Sequence, residues 1–517
     1  MLFLISNLGD DKMMLTKRDL GKLTALRYLI EEKGHVTKKE LAFYCNISMS
    51  TLKRYIESIN NDLHEYKEFV NLSIQDIDTS YAIKNPTPFN EYYVIKKIQF
   101  LYYSKSIYFQ LIRDILLGTV THLSELVDKL YVSYTYIYKL LLETNSFIVP
   151  LGIKIHYSKQ SDRVYMSGSK KDIQLFRIYF FWSTYQGVEW PFTHTTPDEL
   201  YAYFRESELK EFSSLSSSKE EKYLYSLAVS TLEANDDEKD LQLSKEFKEI
   251  LMIFQKTNDC SLPLCRKQST ENKRDEASIE EEQLYFNFIC RIFGSANDSE
   301  NVQYMIGEYL TSLENEVIHY CKLLVDSFLS VFSEKYTIEF PQLIKNRLLY
   351  TFSLYFVNTF YVQFKPATFQ QLFHINVDAK VTESVIFIEA KIFFDTFLKE
   401  NPLPEEIRLS DVHLHLAYGL IHTLLSEIKA PSLAVYIQFS KNMFGQSYIQ
   451  TQLYNTYGRE NIHIASDIDQ ADIIISDFFE NRYKERNYFY LDNLHDNKLW
   501  QNLNEFINYH RLKINNN

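Results

Sequence analysis

Thr37-Lys38-Lys39-Glu40-Leu41-Ala42-Phe43-Tyr44-Cys45-Asn46-Ile47-Ser48-Met49-Ser50-Thr51-Leu52-Lys53-Arg54 decides the fold of the N-terminal region. Thr37 with Glu40 three residues on is a capping box, which opens a short helix with Leu41 and Ala42 inward. Asn46-Ile47-Ser48 is a tight turn. A longer helix then runs over Met49–Leu63, where Leu52, Ile56, Ile59 and Leu63 recur at helical spacing. Ser50, Thr51, Lys53, Arg54 and Asn61 fall on the opposite face. Upstream, Leu23, Leu26, Leu29 and Ile30 predict a helix over Lys22–Glu32 that Gly34 would end. Downstream, Asn71–Gln75 and Tyr81–Lys84 alternate about Asp78-Thr79-Ser80, as a hairpin would, before Pro86 and Pro88. Helix, short helix, turn, longer helix and hairpin make a winged helix-turn-helix.

The pattern returns at a constant offset of 85 residues: Glu40 matches Glu125, Leu41 Leu126, Ile47 Val132, Ser48 Ser133, Leu52 Ile137 and Arg54 Lys139. Ile107–Leu117 ends at Gly118, Thr121 or His122 opens the short helix, and Tyr134–Ser146 is the long one. Gly152–Tyr157 and Arg163–Gly168 form a second hairpin. A recognition helix needs an apolar back and a front of polar and basic side chains that reach base edges and phosphates. Ser50, Thr51, Lys53 and Arg54 would lead a duplex-DNA contact, with Lys38 and Lys39 on phosphates. Tyr134, Thr135, Tyr138 and Lys139 would extend it, although a tyrosine-rich face also suits a protein interface.

Charge supports this placement. The 517 residues carry 55 basic against 68 acidic side chains, a net of −13. Residues 1–175 hold 23 against 19, a net of +4, and the remainder holds 32 against 49, a net of −17. Such asymmetry suits one segment that meets polyanions and another that does not. With 12 glycines and 11 prolines, glycine-rich phosphate loops are not expected, and 45% hydrophobic residues exclude disorder for most of the length.

Five cysteines without a CxxC pair argue against a disulfide framework or zinc site and point to a reducing cytoplasm. Met1–Leu8 lacks the basic start and cleavage site of a signal peptide. Leu348–Phe364 is uncharged, but Thr351, Ser353, Asn358, Thr359 and Gln363 within it mark a buried helix rather than a membrane span.

Residues 172–296 and 297–428 read as two all-helical blocks, with the polar run from Asn258 to Glu282 as a loop. The last part changes character. Strands at Ser432–Phe439, Ile462–Ala465, Ala471–Ser476 and Tyr488–Leu491 alternate with helices at Gln446–Tyr457 and Asn497–Arg511. That is a small α/β domain with a mostly parallel sheet. The expected fold is mainly α and multidomain: winged units at 14–88 and 89–171, helical blocks at 172–296 and 297–428, and an α/β domain at 429–517.

This order resembles the Mga/AtxA-type transcription regulators. Its most specific parts are Thr37 to Leu41 with Ser48 to Arg54, and Ser133 to Leu142 in the repeat. The resemblance implies promoter DNA binding, control of genes linked to sugar status and host interaction, and self-association through the C-terminal parts. It implies that the helical blocks are phosphotransferase regulation domains with phosphodonor partners such as HPr, and that the last domain is similar to enzyme IIB. Enzyme IIB carries a phosphorylated cysteine after its first strand. Here that stretch is Phe439-Ser440-Lys441-Asn442-Met443-Phe444-Gly445, and no cysteine follows Cys321. Thiolate phosphoryl transfer is therefore excluded there.

Regulation domains of this kind are controlled at histidines, because a neutral imidazole accepts a phosphoryl group that adds charge close to −2. His194, in a turn-rich stretch, and His374, between Leu372 and Val377, are the candidate phosphoacceptors; His319 lies within a helix. His413 and His415, at i and i+2 of a helix, do not form a metal pair. No catalytic, metal or cofactor motif is present, so no enzyme is expected. Two other classes fit the same domain order less well. One is an RNA-binding antiterminator, which would begin with a β-rich domain. The other is a phosphotransferase-linked docking protein that touches no nucleic acid.

Overall fold

The computed structural model describes residues 14–32, 35–85, 90–206, 217–232, 241–256, 276–294, 298–336, 340–362, 385–403, 409–427, 433–441, 443–459, 461–478 and 486–514. The chain forms two compact units, Met1–Val325 with Pro341–Asn376, and Asp326–Phe340 with Val377–Asn517.

The first unit begins with α1 (Lys17–Glu31), β1 (His35–Thr37), α2 (Lys38–Tyr44), α3 (Met49–Leu63), β2 (Ser73–Ile77) and β3 (Ser80–Lys84). Helix α1 starts a turn earlier than its apolar residues indicate, because the Thr16 hydroxyl accepts from the Asp19 amide and caps it. The expected cap at Gly34, like Pro86 and Pro88, lies outside the described residues. The three strands form an antiparallel sheet in the order β1-β3-β2. Helix α4 (Glu91–Lys105) follows, then α5 (Ile107–Leu116), α6 (Leu123–Leu130), α7 (Tyr134–Ile148) and the antiparallel hairpin β4 (Lys154–Ser158) and β5 (Arg163–Ser167).

Helix α4 packs on α1, α3 and α5, and a buried polar hub fixes it there. The Asp62 carboxylate on α3 receives the Lys22 ammonium of α1 at 3.0 Å, the Tyr102 hydroxyl of α4 at 2.8 Å and the Lys105 ammonium at 3.5 Å. Lys22 is itself buried over the Tyr102 ring. Burial, with Asp62 alongside, pushes the Tyr102 hydroxyl far above its ordinary pKa, so it stays a donor.

Helix α8 (Lys170–Tyr185) runs directly from the second hairpin into a helical block with α9 (Pro197–Glu206), α10 (Ser217–Ser230), α11 (Lys245–Gln255), α12 (Glu276–Gly294), α13 (Glu300–Thr311), α14 (Glu316–Tyr336) and α15 (Gln342–Val357). Phe109 of α5 stacks on Phe180 of α8 with ring centroids 5.6 Å apart, and Phe100 of α4 meets Tyr185 at 4.8 Å. The Arg177 guanidinium donates to the Leu116 carbonyl at 3.2 Å, at the C-terminal end of α5. Helical block and second winged unit thus share one core.

The Glu280–Glu282 run, read as loop, is helical in α12. Leu284, Tyr285, Phe288 and Ile289 bury one side of that helix. The glutamates find remote partners: Lys248 for Glu280, the Leu243 amide for Glu281 and Lys170 for Glu282. Helices α13 and α15 cross closely at Gly307, where an added Cβ would lie 2.0 Å from the Asn346 carbonyl oxygen. The uncharged stretch from Leu348 is the buried part of α15, and among the described residues no helix is long and apolar enough to cross a membrane.

The second unit holds the last turns of α14, then α16 (Val385–Glu400), α17 (Asp411–Glu427) and an α/β layer: β6 (Leu433–Gln438), α18 (Gly445–Tyr457), β7 (Ile462–Ile464), β8 (Ile473–Ser476), β9 (Tyr488–Tyr490) and α19 (Asn497–Ile514). Its sheet is parallel throughout, in the order β7-β6-β8-β9. Leu433, Val435, Ile437, Ile473 and Ile475 pack against Ile449, Leu453, Leu503 and Ile507 of the two helices.

Two variants test these contacts. Asp62→Ala takes one carboxylate from the buried Lys22 ammonium, which keeps Asp19, and frees the Tyr102 hydroxyl of its acceptor; it is expected to lower stability by about 1.5–3 kcal/mol, read as a lower urea midpoint at unchanged m-value. Gly307→Ala forces α13 from α15 and is expected to cost about 1–3 kcal/mol, measured the same way.

Candidate nucleic-acid interface

The two winged units are built alike, position by position. Ser48 and Ser133 cap α3 and α7, each hydroxyl accepting from the amide three residues on at 3.2 Å. Asn46 and Tyr131 both take the left-handed conformation in the turn, with φ of 51° and 53°. The amides of Ile47 and Val132 then close it onto Ala42 and Val127. Leu52, Ile56, Ile59 and Leu63 of α3 are buried, as are their counterparts Ile137, Leu141, Thr144 and Ile148 of α7. Asn60 and Asn145 each clamp a wing strand through both amide atoms. Asn60 bonds the N–H and C=O of Ile74 at 2.7 and 2.9 Å, and Asn145 those of Ile155 at 2.8 and 2.9 Å.

On the front of α3, Ser50, Lys53 and Arg54 are exposed and Thr51 is half-buried. The hydroxyls of Ser50 and Thr51 each lie 2.9 Å from the Ser48 hydroxyl, and the Arg54 guanidinium reaches Thr51 at 3.4 Å. Lys39 is exposed. Lys38 is half-covered: its ammonium pairs with Asp76 on β2 and donates to the Asp78 carbonyl at 2.8 Å. On α7, Tyr134, Thr135, Tyr136 and Lys139 are exposed, and Lys139 lies 3.6 Å from Glu143. Tyr138 is set back, its ring edge-on to Tyr157 of β4 at 5.3 Å.

The wings carry charge that helix patterning does not reveal. Asp76 and Asp78 are exposed on the first, and Lys154 and Lys159 on the second. Alternation located both hairpins and could have marked Lys154, an outward position of β4, whereas Asp78 and Lys159 lie in the turns between the strands.

Among the other candidates, His194 lies in the turn after α8. Its Nε2 is 2.7 Å from the Thr231 hydroxyl and 3.1 Å from the Ala228 carbonyl at the end of α10. Burial of part of the ring holds its pKa below the ordinary value, against the opposing pull of the Ala228 hydrogen bond. His374 lies outside the described residues. His319 is exposed on α14, and the His413 ring stands 3.0 Å from the Ser410 hydroxyl at the start of α17. Among the described residues no group of His, Cys, Asp and Glu is placed to hold a metal ion. In the α/β layer, the loop after β6 is filled by a carboxylate of the chain itself. Asp477 accepts from the amides of Ser440 and Lys441 at 2.9 Å and from the Ser440 hydroxyl.

No curated protein matches this chain. Residues 92–181 match the family model of the Mga helix-turn-helix domain. That span runs from α4 through the whole second winged unit into α8. The first winged unit, α1 to β3, precedes the matched span and repeats its architecture. The helix-turn-helix within residues 92–181, with the front of α7 turned to solvent, is similar to the Mga domain and supports a DNA-binding transcription regulator.

Proposed function

We propose that the chain reads promoter DNA in the cytoplasm with both winged units, that α3 leads the major-groove contact, and that the helical blocks tie this binding to sugar phosphotransferase status. The exposed polar and cationic front of α3, backed by four buried apolar residues, carries the reading. Ser50, Thr51, Lys53 and Arg54 would meet base edges and phosphates, and Lys39, with Lys38 when released from Asp76, would hold the backbone. Tyr134, Thr135, Tyr138 and Lys139 would extend the footprint, Tyr138 from the side of the wing. Because each unit offers few free bases, affinity comes from linking two units in one chain and from pairing of chains.

The division at 14–88, 89–171, 172–296, 297–428 and 429–517 is part of this proposal, as is self-association through the C-terminal parts. His194 is the phosphoacceptor that the geometry supports. With Nε2 held at the end of α10, Nδ1 is left to attack a phosphodonor such as HPr, and the lowered pKa keeps the ring neutral near pH 7.

The double variant Lys53→Ala, Arg54→Ala is expected to weaken promoter binding by about tenfold or more in a low-salt gel-shift titration; an effect within about twofold would reject the placement of α3. Incubation of the full chain with phosphorylated HPr is expected to place phosphate on His194, detected by mass spectrometry under alkaline conditions and lost in His194→Ala.

A further inference from the structure

Where the short helix meets the turn of the wing, the two units distribute charge in opposite ways. In the first, the base, Lys38, opens the helix and the acids, Asp76 and Asp78, stand at the wing's turn, with Lys84 at the far end of β3. The Lys38 amide donates to the Thr79 carbonyl at 2.9 Å, and its ammonium is held by the Asp78 carbonyl and the Asp76 carboxylate, over the edge of the Tyr81 ring. In the second, the position 85 residues on is Leu123. Its amide makes the same tie to the wing, donating to the Asp162 carbonyl at 2.8 Å, but it brings no charge. There the bases, Lys154 and Lys159, stand on the wing and are exposed.

From this inversion we infer that Asp76 is a brake on the first reader: it holds the Lys38 ammonium against the wing and withholds it from DNA phosphates. The inference rests on the DNA-binding reading above. In a helix-turn-helix the first helix crosses the phosphate backbone, and Lys38 opens that helix. Its side chain is only 20% exposed, whereas the Asp76 side chain is 53% exposed, so the acid rather than the base faces an approaching duplex. An exposed ion pair is worth little by itself. The brake is therefore weak enough to yield to a well-placed phosphate and strong enough to set binding to poorly placed ones. Asp76 thus raises the discrimination of the first unit by lowering its sequence-independent attraction.

Salt dependence counts phosphate contacts and reads this directly, since each contact adds about 0.9 to the slope of log affinity against log salt. The full-length chain is titrated with labelled mixed-sequence duplex DNA over a series of salt concentrations. Asp76→Asn is expected to steepen the slope by about one contact and to raise low-salt affinity by up to about tenfold. Lys38→Ala, Asp76→Asn is expected to return to the slope of Lys38→Ala alone. Asp78→Asn removes a wing charge that does not hold Lys38 and is expected to leave the slope unchanged. An unaltered slope in Asp76→Asn, or a steepening that survives Lys38→Ala, overturns the brake while leaving the DNA reading intact. No duplex binding by the unaltered chain at any salt concentration overturns the DNA reading itself.

Discussion

A carboxylate in the last turn of a helix opposes the helix dipole, yet Asp62 occupies that place in α3. Two ammonium groups and a phenol offset the conflict, and each comes from a helix other than α3. The far end of the recognition helix is thereby tied to α1 behind it and to α4, the first helix beyond the hairpin. Helix α4 in turn shares an aromatic core with α5 and α8. The two winged units are therefore joined through a packed helix and a buried ionic hub. Such a junction sets the spacing of α3 and α7 and would spare the entropy that a flexible linker loses in any contact made by both.

What could be read in the sequence was local. Capping boxes, apolar spacing and hairpin alternation act over three to eight residues, and they located α2, α3, α6, α7 and both wings. The offset of 85 held beyond the six matched positions, reaching the left-handed turn residues Asn46 and Tyr131 and the clamps Asn60 and Asn145. What escaped was non-local. Strand β1 is three residues long and exists only because β3, more than forty residues on, pairs with it. The glutamates at the start of α12 resemble a solvated loop until Lys170, 112 residues earlier, is brought to Glu282. Lys38 looked like a free phosphate ligand because its partner Asp76 lies 38 residues away.

The second unit is the weaker copy in its interior as well as on its surface. Ile59 is fully buried in the first, and its counterpart Thr144 buries a hydroxyl that has no hydrogen-bond partner. An unsatisfied buried hydroxyl costs about 1–3 kcal/mol, a cost that Ile59 does not bring to α3. The packing of α5 against α8 offsets this, because Phe109, Phe180 and Arg177 join the second unit to the helical block.

The C-terminal layer follows a related logic with charges reversed. A loop between a parallel strand and a helix presents backbone amides suited to an anion. After β6 those amides are met by Asp477, held on the first residue past β8, and their hydrogen bonds keep its carboxyl below the ordinary pKa despite burial. The loop is closed by the chain's own acid, and the stretch holds no cysteine. Ionised across the neutral range, Asp477 joins β6 to β8 at their C-terminal ends, the edge where ligands enter open parallel sheets. Side-chain carboxylates therefore meet donors at two places suited to an anion, the ammonium of Lys38 and the loop after β6. In the proposed reading the polyanion contacts lie on the front of α3, on α7 and on the second wing.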